Sequence, residues 1–142
     1  MRFGITLSNR GILLGLTSVP KLLAMADAVE ACPLMDSVWV GDALFVNQRL
    51  DALTLLAAIA GRTQRVLLGP SCMGSFALRD PRVFAYEWAS LDVISGGRTR
   101  LAVCSGGGAG RTCRRWWNSW NGSTSSPTAR RRCGPRRPCW SI

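Results

Sequence analysis

Four short, mainly apolar segments of strand length recur through the first 104 residues: RFGIT from Arg2, SVWV from Ser37, RVLLG from Arg65 and RLAVC from Arg100. Half-exposed strands alternate polar and apolar residues, whereas these read as apolar runs. They predict parallel strands covered on both faces.

The segments between the runs carry helical spacing. Val19, Leu22, Leu23, Ala26 and Val29 share one face, with Ser18 near the cap and Pro20 in the first turn, where its missing N–H costs nothing. Asp51 caps a second helix through Ala60, with Leu53, Leu56 and Ala60 on one face. Asp80-Pro81 opens a third, whose face is Phe84, Trp88, Leu91 and Ile94, and Gly96-Gly97 ends it. Leu7 to Ser18 reads as a loop. The order β-α-β-α-β-α-β predicts an α/β fold, either a (β/α)8 barrel or an open doubly wound sheet.

Both architectures bind ligands at the carboxyl ends of the strands. Any chemistry is therefore expected in Ser8–Gly15, Gly41–Ala43, Gly69–Met73 and Cys104–Gly108.

The formal charge of +10 is concentrated at one end of the chain. Residues 1–110 hold ten basic and eight acidic side chains, 10 − 8 = +2, and the last 32 residues hold eight arginines and no acid. The body is thus nearly neutral, and only the tail suits an anionic partner.

The six cysteines form no CxxC pair and the chain has no histidine, so no metal site is expected. The body has core enough without disulfides, and reduced thiols in a cytoplasmic protein are expected. The longest apolar run, around Leu55–Ala60, is far below the roughly 20 of a membrane span. Arg2, Arg10 and GILLGLTSV imitate a secretory leader, but Lys21 interrupts it.

The absence of histidine removes the commonest general base and every Ser-His or Cys-His pair. Gly106, Gly107, Gly108 and Gly110 do not form a dinucleotide fingerprint, because Arg111 stands where the last glycine belongs and the run follows the fourth strand. A plain glycine-rich turn is expected. Asp42 suits either a ligand contact or a loop cap. Cys72 and Cys104 stand at strand ends, although free cysteines are usually inert buried hydrophobes.

The series MRFGITLSNRG, DSVWVGD, RLDALTLLAAIAGRTQRVLLGPSCM, RDPRVFAYEWASLDVISGGR and LAVCSGGG resembles the amino-terminal half of the luciferase-like monooxygenases, over roughly residues 1–110. The resemblance implies a partial TIM barrel holding its first four strands. It also implies FMN or a deazaflavin as cofactor, with oxidoreductase or monooxygenase chemistry on a small organic substrate. The implied cofactor contacts are Asp42, Ser71, Cys72, Met73, Cys104, Ser105 and Gly106, and no catalytic residue is implied. The family often carries a non-proline cis peptide after the third strand, which would fall at Ser71-Cys72 or Cys72-Met73. Many members have histidine after the Asp of the second strand, where this chain has Ala43. A full barrel takes about 250 residues. A half barrel leaves two strand edges unpaired, which favours self-association.

Residues 111–142 contain no Leu, Val, Met or Phe, so they cannot supply strands five to eight. One reading is an Arg/Trp arm that grips nucleic acid through phosphate contacts and base stacking. The other is translation out of register. If each codon takes the third base of one codon and the first two of the next, Trp116-Trp117 yields valine. Trp117-Asn118 and Trp120-Asn121 then yield glutamate. Those are the residue classes that the tail lacks. The expected organisation is a truncated barrel at 1–110, inactive as a monomer, and an out-of-frame tail at 111–142.

Overall fold

The computed structural model describes residues 1–44 and 49–104. Three strands, β1 (Phe3–Leu7), β2 (Met35–Gly41) and β3 (Leu67–Cys72), form a parallel sheet in the order β1-β2-β3. The crossovers are α2 (Val19–Ala31) and α3 (Ala52–Ala60), and α4 (Pro81–Ser95) follows β3. The α/β class and the parallel pairing are as the apolar runs predict.

All three predicted caps form. The Asp51 carboxylate accepts from the Thr54 amide at 3.0 Å, Asp80 from Arg82 and Val83, and Ser18 Oγ from Lys21. Each satisfies amides that a helix start leaves unpaired. At the end of α4, Gly96 takes the left-handed conformation (φ 71°), which glycine adopts without Cβ strain.

The sheet has two unlike faces. Leu7, Val38, Val40 and Leu68 meet Leu22, Ala26 and Val29 of α2 and Leu53, Leu56 and Ile59 of α3 in one buried core. Each such Leu, Ile or Val side chain contributes about 1.5–3 kcal/mol by leaving water. On the other face, Trp39 lies over Gly4 and Gly69, with its indole N–H donating to Ser37 Oγ at 3.1 Å.

Several local expectations are corrected. A one-turn helix, α1 (Arg10–Leu13), sits in the loop predicted at Leu7–Ser18, closed by Gly15 at φ 70°. Ile94 is exposed, because the buried line of α4 runs Phe84, Leu91, Ser95 with Trp88 half-buried. β3 continues through Gly69-Pro70 instead of stopping there.

The predicted fourth strand is reduced to two parallel bridges, Leu68↔Thr99 and Met73↔Val103. The cause is Pro70. Leu68 exchanges both backbone hydrogen bonds with Arg98 and Arg100, so Pro70, two residues on, turns toward the same neighbour. It has no N–H to offer. A register shift between Val40 and Gly41 then lets Met73 resume pairing by donating to the Ala102 carbonyl at 2.7 Å.

Cys72 and Cys104 are joined as a disulfide, which corrects the expectation of reduced thiols. The resumed pairing lays the two strand ends side by side, a proximity that 32 residues of sequence separation conceals. Among the described residues no peptide bond is cis, so Ser71-Cys72 and Cys72-Met73 are both trans. A trans link carries the Met73 N–H directly to Ala102.

Candidate functional site at the carboxyl edge

The parallel sheet gathers its carboxyl ends at one edge. Asn9 follows β1, Gly41 and Asp42 end β2, Ser71, Cys72 and Met73 end β3, and Cys104 ends the bridged segment. Ser105 and Gly106 lie outside the described residues.

The gathered residues differ in what they present. Met73 is fully buried, so its side chain belongs to the core. Asp42 Oδ2 accepts from the Ser75 amide at 2.7 Å, its Oδ1 stands 3.9 Å from Arg79, and its side chain is 2% exposed. That carboxylate holds the loop after β3 through the Ser75 amide. Ser71 and Cys72 are exposed, as is Cys104. The Ser71 hydroxyl donates to the Val40 carbonyl at 3.3 Å, fixing its place beside β2.

Two residues that sequence reasoning passed over organise this edge. Asn9 is buried and its side-chain amide donates to the carbonyls of Gly41 and Leu50, both at 2.8 Å, pinning the ends of β1 and β2 to the start of α3. The signal was a polar residue directly after an apolar strand, within the predicted ligand-binding segment. Arg79 donates to Ser75 Oγ at 3.1 Å and to Asp51 Oδ1 at 2.5 Å, linking the loop under Asp42 to the cap of α3. Burial alone would raise the Asp51 pKa, but the Thr54 amide and the Arg79 guanidinium outweigh it and hold the carboxyl below its usual range.

Arg49 packs against Gly41. Its buried Nε has no hydrogen-bond partner among the described residues.

An open groove of about 690 Å3 lies elsewhere, along α4, with Phe84, Trp88, Asp92, Thr99 and Arg100 in its wall. None of the strand-end candidates lines it. Among the described residues no helix is long and apolar enough to cross a membrane, and no metal-binding group of three or more His, Cys, Asp or Glu comes together.

The sequence profile of the luciferase-like monooxygenases matches residues 1–134. The chain belongs to this family. The match runs past the boundary near residue 110 at which the resemblance was expected to end. Over 78 residues this luciferase-like chain is 37% identical to an F420-dependent glucose-6-phosphate dehydrogenase of Amycolatopsis mediterranei (strain U-32), covering 51% of the chain and 23% of that relative. Among solved structures, it is similar to the F420-dependent tetrahydromethanopterin reductase of Methanopyrus kandleri (TM-score 0.61, 25% identity), over 82% of the chain and 30% of the reductase. It is also similar to a monooxygenase from Streptomyces bottropensis (TM-score 0.57, 27% identity), over 72% of the chain and 32% of that protein. The luciferase-like chain spans less than a third of each of these relatives.

The expected nucleic-acid arm and out-of-register tail concern residues 111–142, which lie outside the described residues.

Proposed function

We propose that this chain carries the amino-terminal part of an oxidoreductase site that takes the deazaflavin F420 in preference to FMN. The observation that supports it is the carboxyl edge itself, where exposed Ser71 and Cys72 end β3, Cys72 pairs with Gly41, and Arg49 packs against that glycine. The F420 dependence of the Amycolatopsis and Methanopyrus relatives favours the deazaflavin.

The residues present fit such a group. Arg49 meets its anionic portion, and Ser71, Cys72 and Cys104, with Ser105 and Gly106 beyond, meet the ring. When bound, the cofactor supplies hydride exchange with a small organic substrate. Asp42 and Met73 act from behind, as supports of the loop and the core. Asn9 and Arg79 hold the strand ends in place.

The architecture we infer is the first part of a TIM barrel. The apolar groove along Phe84 and Trp88 is the face that a following β/α unit would cover, and β1 pairs on one side alone among the described residues. The chain by itself binds F420 without turnover. We assign residues 111–142 to a lost reading frame, and the nucleotide sequence across codons 105–115 tests that assignment by a single-base insertion or deletion relative to a longer frame.

Titration of the 142-residue protein with F420 and with FMN, followed by cofactor fluorescence, tests the cofactor reading. F420 binds more tightly, and Arg49→Met weakens it. Equal affinity for the two cofactors, or no loss in the Arg49 variant, overturns the preference. Substrate turnover by the 142-residue protein overturns the claim of inactivity.

A further inference from the structure

Cys72 and Cys104 flank the point where the chain's last described pairing is made. Cys72 precedes Met73 and Cys104 follows Val103, and Met73↔Val103 is itself a parallel bridge, fixed by the Met73 amide on the Ala102 carbonyl at 2.7 Å. Met73 is fully buried, which anchors that register in the core. Backbone pairing and core packing therefore bring the two cysteines together whatever their oxidation state.

The Cα atoms stand 6.0 Å apart, within the range of about 4.4–6.8 Å that a disulfide spans. Both cysteines are exposed residues at the end of the sheet. The remaining described cysteine, Cys32, caps the far end of α2 and is free. Two exposed cysteines held diagonally across a backbone bridge, at the carboxyl edge of the sheet, form a site distinct from an inert structural bridge.

We propose that Cys72 and Cys104 form a reversible dithiol–disulfide site whose reaction partner is a low-molecular-weight disulfide or dithiol. In the oxidising direction one protein thiolate attacks a sulfur of R–S–S–R and expels one RS⁻, giving a mixed disulfide. The second protein thiolate attacks the protein sulfur of that intermediate and expels the other RS⁻. The protein loses two electrons and two protons, and the partner becomes two RSH. A dithiol reverses both steps. This site goes beyond the proposed cofactor reading and needs no cofactor.

The test equilibrates the 142-residue protein, without cofactor, in glutathione buffers of graded oxidised-to-reduced ratio, then quenches, alkylates and digests with trypsin. Each cysteine falls in its own peptide, residues 66–79 and 101–111. The expected result is a linked pair of these peptides that accumulates with rising oxidised glutathione and disappears with dithiothreitol. Cys72→Ser and Cys104→Ser each abolish it, and Cys32→Ser leaves it intact. Should either serine variant fail to fold, the wild-type chain in native buffer against the same chain in urea decides, since only the folded register selects this pair. Cys72 that stays open to alkylation at every ratio overturns the proposal. So does Cys72 linked to Cys113, Cys133 or Cys139 as readily as to Cys104. Because F420 is absent throughout, either outcome leaves the cofactor reading to its own test.

Discussion

The Arg79 guanidinium donates to the Asp51 carboxylate at 2.5 Å, and so joins the loop after β3 to the cap of α3. Asp51 answers with two duties on separate oxygens, since its Oδ2 accepts from the Thr54 amide while Oδ1 takes the arginine. Arg79 also stands 3.9 Å from Asp42 and 3.8 Å from Glu87. A single cation thus faces three carboxylates and is hydrogen-bonded to one of them, Asp51.

Arg79→Ala is expected to lower stability by about 2 kcal/mol, because charge-assisted hydrogen bonds are lost at a mostly buried guanidinium. Urea denaturation of the single variants and of Arg79→Ala with Asp51→Asn gives the coupling, expected at about 1 kcal/mol. Additive losses from the two substitutions would show that the pair does not interact.

The fold was legible in the sequence where its cause is local. Asp51 and Asp80 are caps because a short acceptor before an apolar helix meets free amides, and the structure makes both bonds. The end of the third predicted strand was illegible, because Pro70 limits pairing only on the side that another strand approaches. The Cys72–Cys104 contact rests on the same long-range register. The motif Leu91-Asp92-x-x-Ser95-Gly96-Gly97-Arg98, which helped carry the family resemblance, proves structural. It closes α4 at the amino ends of the strands, opposite the candidate site. At the edge, sequence put Asp42 at the end of β2 but could not see that the Ser75 amide already takes one of its oxygens.

Acid should destabilise the folded chain through Glu30 and Asp51. Burial favours protonation of Glu30, but the amides of Val66, Gln64 and Arg65 outweigh it and hold its pKa below the ordinary 4.5. Asp51 is likewise held below the ordinary 3.8. Both folded values lie under the unfolded ones, so their contribution is complete above the unfolded values. It is lost as pH falls through the folded ones. Urea midpoints measured downward from pH 5 should therefore decline, and Glu30→Gln should flatten the decline. An identical slope in the variant would remove Glu30 as a contributor.

Two glycine substitutions should act in opposite directions. A Cβ on Gly69 would run into the Arg100 carbonyl, a backbone atom that cannot swing aside. Gly69→Ala is expected to cost about 1–3 kcal/mol as overpacking. Gly61, at φ −69° and ψ −13°, already holds a conformation open to alanine, and its nearest neighbour would be the Ala57 carbonyl at 3.7 Å. Gly61→Ala should be neutral or stabilise by up to about 1 kcal/mol, through the unfolded chain. Thermal melts of both variants separate the two effects, and a stable Gly69→Ala would mean that the 98–102 segment does not lie against β3.

Arg98 separates stability from binding. Its guanidinium donates to the carbonyls of Ser95, Val66, Ala60 and Thr63 and to Thr63 Oγ1, so every N–H meets an acceptor, joining the end of α3, the turn before β3 and the end of α4. Burial disfavours its charge, which the nearby Glu30 only partly offsets, so its pKa is lowered. Lysine keeps the charge but offers three donors from one point instead of five in a plane. Arg98→Lys is expected to cost about 2 kcal/mol, from several lost bonds at modest net value each. The clamp lies at the amino ends of the strands, so F420 affinity of the folded variant should equal that of the parent protein. A variant that keeps its melting temperature but loses F420 would place this arginine in the binding machinery and refute its role as a clamp.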